Sequence, residues 1–206
     1  MKNIKSIIFD LGGVLLNINY QNTINQFQKL GIQNASSFYS KQKQKNLFNN
    51  LECGKITEST FVRKIKKYCT NKNSTEIILA WNAMLLDLPK NRINLLQNLQ
   101  RKYQIFLLSN TNQIHINQIK NLIGYENYQK FYNLFNKVYY SHEIGFRKPN
   151  VEAFHLILDE NNLKAKEVLF IDDSPQHIET AKKIGIHTYH LKDNEEVTSI
   201  FSDRVQ

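Results

Sequence analysis

Apolar positions follow two different rhythms along this 206-residue chain. Residues 4–9 form a short apolar run, with Ile4, Ile7, Ile8 and Phe9, that stops on Asp10 and meets turn chemistry at Gly12 and Gly13. A run too short for a helix, ended by a carboxylate and glycines, predicts a buried parallel strand whose carboxyl end opens into a site. From about residue 18 to residue 86 the spacing is helical. Ile24, Phe27 and Leu30 recur at helix spacing and stop at Gly31. Phe61, Ile65 and Tyr68 do the same after a cap region at 57–59, and residues 77–86 follow Ser74 as an N-cap. This stretch predicts a small helical bundle inserted after the first strand, with no strand of its own.

From Pro89 the rhythm alternates. Helices are predicted over about 90–102, from about 112, over 150–160 and over 175–184. Strands are predicted near 104–108, 137–140, 168–171 and 187–191. Alternation of helices with apolar strands argues for an α/β fold built on a doubly wound, Rossmann-like parallel sheet. Residues 1–16 and 89–206 then form the core, and residues 17–88 a helical insertion. Sheets of this kind bind ligands at the carboxyl ends of their strands. The residues waiting there are Asp10, Ser109, Asn110, Asp172 and Asp173. Carboxylates on adjacent parallel strands can converge on a hard cation such as Mg²⁺ and leave one of their number to attack phosphorus.

Composition narrows the partners. An apolar fraction of 41% supports a packed core, and no run reaches the roughly 18 apolar residues of a membrane span. No secretory signal opens the sequence, and Cys53 and Cys69 read as free thiols, so a cytoplasmic setting is expected. The net charge of +9 invites a nucleic-acid reading. However, the lysines (Lys41, Lys43 and Lys45; Lys64, Lys66 and Lys67) are scattered among Asn and Gln without aromatic interleaving or a DNA-reading motif. Richness in Asn, Ile, Lys, Tyr and Phe is the signature of AT-rich coding, and the expectation is no nucleic-acid partner and no membrane. A mildly positive surface still attracts an anionic substrate.

Four segments, Asp10-Leu11-Gly12-Gly13-Val14, Leu108-Ser109-Asn110-Thr111, Arg147-Lys148-Pro149 and Ile171-Asp172-Asp173-Ser174, stand in an order that resembles the haloacid dehalogenase-like hydrolase superfamily. The insertion resembles the helical cap of its phosphatase-rich subgroup. Asp-Leu-Gly and Ser-Asn-Thr-Asn resemble sugar-phosphate phosphatases of the glucose-1-phosphate phosphatase type. The resemblance implies Mg²⁺ as cofactor and a small phosphorylated metabolite as substrate, with Asp10 as nucleophile. It implies metal ligation by Asp10, by the Gly12 carbonyl and by Asp173, with Asp172 assisting. Ser109 and Asn110 would bind the substrate's phosphoryl group, and Lys148 would neutralise its charge. A monomer or a weak homodimer is expected.

Two positions depart from the family pattern. The general acid usual two residues after the nucleophile is replaced by Gly12, and general acid catalysis is worth on the order of 10²–10⁴. The acid or amide usual four residues after Asp173 is His177. The other histidines, His115 among them, form no metal-ligand spacing, and Phe27, Phe61 and Trp81 read as bundle core. Carbon–halogen hydrolysis by Asp10 is disfavoured, because it needs no metal and so no Asp172-Asp173 pair. The alternatives carried forward are a catalytically weakened binding or regulatory protein, motivated by Gly12, and a phosphatase for flavin mononucleotide or a riboflavin precursor.

Overall fold

The computed structural model describes residues 3–38, 46–69 and 72–204. Lys41, Lys43 and Lys45 lie outside them. The chain runs β1 (Ser6–Phe9), α1 (Tyr20–Lys29), α2 (Ala35–Phe38), α3 (Asn46–Glu52), α4 (Glu58–Lys66), α5 (Ser74–Asn82) and α6 (Lys90–Leu99). It continues β2 (Gln104–Ser109), α7 (Gln113–Ile123), α8 (Tyr125–Tyr132), β3 (Lys137–Tyr140), α9 (Ser141–Ile144) and α10 (Val151–Glu160). Last come β4 (Val168–Asp172), α11 (Pro175–Lys183) and β5 (His187–His190).

The five strands form one parallel sheet in the order β3-β2-β1-β4-β5. Each strand splits its side chains between two layers. Ile7 and Phe9, Ile105 and Leu107, and Leu169 and Ile171 join one core with Leu95, Leu96 and Leu99 of α6 and Phe131 of α8. Ile8, Phe106, Leu108, Val168 and Phe170 join the other with Phe154 and Ile157 of α10 and Ala181 of α11. A period of two, apolar on both sides, is what a sheet covered on both faces requires.

Register places the chemistry. In the centre of the sheet Phe9 is level with Leu107 on one side and with Ile171 on the other. One residue further, the Asp10 N–H donates to the Ile171 carbonyl at 3.0 Å, which brings Asp10 beside Asp172. Ser109 ends β2 on the other flank.

Between β1 and α6 the described residues form five helices around a core of their own. Trp81 is its hub, fully buried, with Phe27, Phe48 and Phe61 at ring-centroid distances of 6.3, 5.1 and 5.2 Å. Where the chain leaves and rejoins the sheet domain, its two crossings pair with each other. The Asn17 N–H donates to the Asp87 carbonyl at 2.9 Å, and the Leu86 N–H to the Asn17 carbonyl at 3.0 Å. Ile18 and Leu85 form an antiparallel bridge between them.

This crossing explains one correction. The expected helix over 77–86 stops at Asn82, because residues 84–87 extend to pair with residues 17–19. Its N-cap is Asn73 rather than Ser74, in a reciprocal capping box with Glu76. Tyr68 lies beyond the end of α4 and is exposed, not part of the bundle core. Helices α8 and α9 were not expected. Gly124 at φ +82° separates α8 from α7 and makes two helices of one apolar-periodic stretch.

Trp81→Ala should lower stability by about 3–5 kcal/mol in urea unfolding, the range for emptying a buried aromatic site. A loss under about 1 kcal/mol would mean that the inserted helices repack without their hub.

Candidate active site

Two strand ends and one loop meet on a single ammonium. Lys148 is fully buried, and its Nζ donates to Asp10 Oδ1 at 2.8 Å, to Asp172 Oδ2 at 2.7 Å and to the Leu108 carbonyl at 2.8 Å. Three donors therefore meet three acceptors, one from each of the central strands or their ends. A buried ammonium is tolerable only with this degree of pairing. Its backbone is held as well. The Asn110 side chain accepts from the Lys148 N–H and donates to the Lys148 carbonyl, both at 2.8 Å. Asn110, expected to bind substrate, is thus engaged in fixing Lys148.

Asp10 Oδ1 also accepts from the Leu11 N–H at 2.7 Å, so Oδ2 is the oxygen left toward the cavity that Asp10 lines. Asp172, fully buried at the end of β4, has neither oxygen to spare. It accepts from Lys148, from the Ser174 N–H at 2.7 Å, and from His177 Nδ1 at 2.9 Å to one oxygen and 3.1 Å to the other. Ser174 begins α11 without a side-chain cap, and Pro175 takes the first helical position. His177 therefore supports Asp172 from one turn into that helix.

Asp173 faces the same cavity as Asp10 and Gly12. It packs over Gly13, whose φ is +81° and whose hydrogen occupies the place where a Cβ would lie 2.5 Å from Asp173 Oδ2. Only glycine suits that position, on backbone conformation and on space. At Gly12 a Cβ would meet just the mobile tip of Ile18, at 3.1 Å. Ser109, buried at the end of β2, lines the cavity too. It does not cap the next helix, a task that falls to Asn112, whose side chain accepts from the His115 N–H.

The electrostatics follow from two buried carboxylates that share one ammonium, with Asp173 close enough to act on Asp10. Burial pushes Asp10 up to about 8 against the pull of Lys148, with Asp172 and Asp173 adding to the rise. Burial also acts on Asp172, but there Lys148 and His177 outweigh it and hold the carboxyl well below the usual range. Lys148 is pulled down by burial and raised more by Asp10 and Asp172, so it stays charged. His177 is lowered, mainly by burial, and is neutral at pH 7. Its Nδ1 must then carry the proton that Asp172 accepts.

The donor chemistry suits a divalent ion. Asp10, Asp172 and His177 offer ligand atoms within 4.8 Å of one another, yet Lys148 already bridges the first two. Asp10 and Asp173 are the two carboxylates among these that line the cavity. Two buried carboxylates that share one ammonium, with a third carboxylate beside them, make a setting that a hard cation answers.

The cavity has a volume of about 70 Å³. A second, of about 630 Å³, adjoins it and shares Tyr20 and Asp173. Beyond the expected residues the small cavity is lined by Tyr20, Glu52, Met84, His115 and Arg147. Arg147 stands in the motif that carries Lys148, although no role was expected of it, and Tyr20, Glu52 and Met84 were not expected. His115 had a usable signal: it sits in the first turn of the helix capped by Asn112, just after the β2 strand end.

Comparison with known proteins agrees with this geometry. The family model for haloacid dehalogenase-like hydrolases matches residues 7–191. A D-ribitol-5-phosphate phosphatase of Bacteroides thetaiotaomicron is 27% identical over 187 residues, covering 90% of this chain and 91% of that protein. The crystal structure of a HAD family enzyme from the same organism, in complex with magnesium and inorganic phosphate, superposes with a TM-score of 0.85 at 35% identity, covering 96% and 99% of the two chains. A HAD-like family hydrolase from Porphyromonas gingivalis gives 0.86 at 28% identity, over 99% and 98%. With the four motifs gathered at one end of a five-stranded parallel sheet, this chain belongs to the haloacid dehalogenase-like hydrolases.

Proposed function

We propose that this protein is a Mg²⁺-dependent phosphatase that hydrolyses a small phosphomonoester, a sugar or polyol phosphate, through an aspartyl-phosphate on Asp10. The observation that carries the reading is the buried pair Asp10 and Asp172 sharing the Lys148 ammonium, beside a cavity that Asp10 and Asp173 both line. The named activity of the Bacteroides relative and the magnesium and phosphate bound in its structural counterpart support it.

In this reading Asp10 Oδ2 attacks phosphorus in line, the bond from phosphorus to the ester oxygen breaks, and the leaving oxygen takes a proton from water to depart as the alcohol. Water then attacks the aspartyl-phosphate and releases inorganic phosphate and the Asp10 carboxylate. Lys148 holds Oδ1 of the nucleophile and sets its orientation throughout. Ser109 donates to a phosphoryl oxygen. Asp172 acts at one remove, orienting Lys148 and His177 through its saturated carboxylate. Asp10, Asp173 and the Gly12 carbonyl would hold Mg²⁺, which supplies charge neutralisation at the phosphoryl oxygens. The inserted helices, residues 17–88, serve as the cap that encloses the substrate and supply Tyr20, Glu52 and Met84 to the cavity.

The raised Asp10 makes cation binding pH-linked. The folded protein holds a proton on Asp10 between the ordinary carboxylate range and about pH 8 that the unfolded chain has lost, so Asp10 lowers stability as pH rises through that window. His177 and His115, both lowered, act in the opposite sense below their ordinary range. A difference measurement separates them. The increase in Tm on adding Mg²⁺ should be larger at pH 8 than at pH 5, and Asp10→Asn should remove that difference. An increase in Tm that is independent of pH in the wild type would contradict the assignment of Asp10 to the cation.

Gly12 leaves the alcohol without a side-chain acid at the usual place. Phosphate release should require Mg²⁺ and depend steeply on leaving-group pKa, with aryl phosphates faster than alkyl phosphates. Ile18 can yield to a side chain at position 12, and Gly12→Asp should raise turnover on poor leaving groups by about 10²-fold, the lower end for an added general acid. A flat leaving-group dependence in the wild type would show that another donor already serves. Binding of phosphometabolites without hydrolysis of any would favour a regulatory protein instead.

A further inference from the structure

Besides the aspartates, His115 and Glu52 line the small cavity, and the reaction at phosphorus gives them no part. His115 is locked in one tautomer. Its Nε2 lies 3.3 Å from the Trp81 carbonyl, and a carbonyl only accepts, so Nε2 carries the proton. The imidazole stacks on the Trp81 indole with centroids 4.6 Å apart and planes within 21°. Burial pushes the ring down to about 4, so it is neutral in the physiological range. Nδ1 is then the nitrogen left for a ligand, and it offers a lone pair and no hydrogen.

Glu52 brings a second acceptor from the end of α3. Its side chain is buried, with Oε2 2.8 Å from Arg147 Nε in an ion-pair contact. Arg147 also donates to Asn49 Oδ1 at 3.1 Å, which ties the same helix to the loop that carries Lys148. An imidazole lone pair and a carboxylate held by Arg147 offer acceptors to hydrogen-bond donors. Met84 beside them suits a carbon chain.

We infer that His115 and Glu52 are specificity-determining residues that accept hydrogen bonds from hydroxyls on the substrate's carbon chain, selecting a hydroxyl-rich phosphomonoester. This rests on the phosphatase reading and adds to it the side of the substrate away from phosphorus. Neither residue touches the reacting atoms. Because a site built to pair a hydroxyl rejects the analogue that lacks it, discrimination is the property to measure.

The test compares the better substrate of D-ribitol 5-phosphate and D-glucose 1-phosphate with its deoxy and deoxyfluoro analogues, one hydroxyl at a time, by kcat/KM. In the wild type at least one deoxy analogue should lose about tenfold or more, a hydrogen bond's worth. The corresponding fluoro analogue, which can accept but not donate, should lose as much. His115→Phe keeps the aromatic plane and should shrink that penalty to within about twofold, whereas His115→Gln, which retains an acceptor and a donor, should preserve most of it. Fluoro analogues that match the parent substrate would overturn the inference without any variant, because the protein side would then be a donor. So would deoxy penalties of equal size in wild type and His115→Phe, the result of a purely structural role. Glu52→Ala should likewise shrink a deoxy penalty to within about twofold, and unchanged penalties remove Glu52 from the assignment. Hydrolysis of p-nitrophenyl phosphate but of neither sugar nor polyol phosphate would defeat the inference and leave the phosphatase reading standing. No hydrolysis of any phosphomonoester would defeat both.

Discussion

A fully buried ammonium holds this site together. Lys148 is out of reach of bulk solvent, and its charge is compensated by Asp10 and Asp172 at 2.8 and 2.7 Å and by the Leu108 carbonyl. Removing either carboxylate partner of such a group leaves a buried charge short of its counter-ion, a cost of about 3–5 kcal/mol. The arrangement in turn demands that β1, β2 and β4 end level with one another, which the parallel register achieves. Asn110 fixes the lysine backbone, and His177 and the Ser174 N–H fix Asp172. Asp10 and Asp173 both line the cavity, and their carboxylates are what a cation and a phosphoryl group would meet there.

The division of labour between two adjacent acids is a consequence of the same pairing. Asp172 ends its strand pointing into the protein and becomes a support; Asp173, one residue on, turns toward the cavity over Gly13. Adjacent residues at the end of a strand point to opposite sides, so a doubled acid there supplies one group to each side. The inserted helices add a second constraint. Their core is independent of the sheet, centred on Trp81, yet Trp81 also stacks on His115 and accepts its proton through the backbone carbonyl. The bundle hub and the wall of the cavity are thus one contact.

Much of the fold was legible in the sequence because it was dictated by local periodicity. The strands at 104–108, 137–140 and 168–171 and the helices before and after them came from short apolar runs and 3.6-residue spacing, and the structure places them within a residue or a few. The end of α5 was not legible, since residues 84–87 extend in order to pair with residues 17–19, more than sixty positions away. Asp10, Ser109 and Asp173 stand out because apolar strands end at or beside them, whereas Lys148, in a loop, was marked only by the family motif that carries it. The task of Asn110 could not, because its amide is engaged by backbone groups 38 residues further on. Glu52 and Tyr20 carry no local mark at all; their place in the cavity depends on how the inserted helices dock on the sheet.

The central claim is that the oxygen left free on Asp10 makes a covalent bond to phosphorus. The most direct measurement is rapid acid quenching during turnover of a phosphomonoester with Mg²⁺, followed by mass spectrometric location of the phosphoryl group. The account predicts one phosphoryl group on the peptide that contains Asp10, formed only with Mg²⁺ present and lost at the rate of phosphate release. Turnover with no phosphorylated Asp10 at any quench time, or a phosphoryl group carried instead on His177, would contradict it.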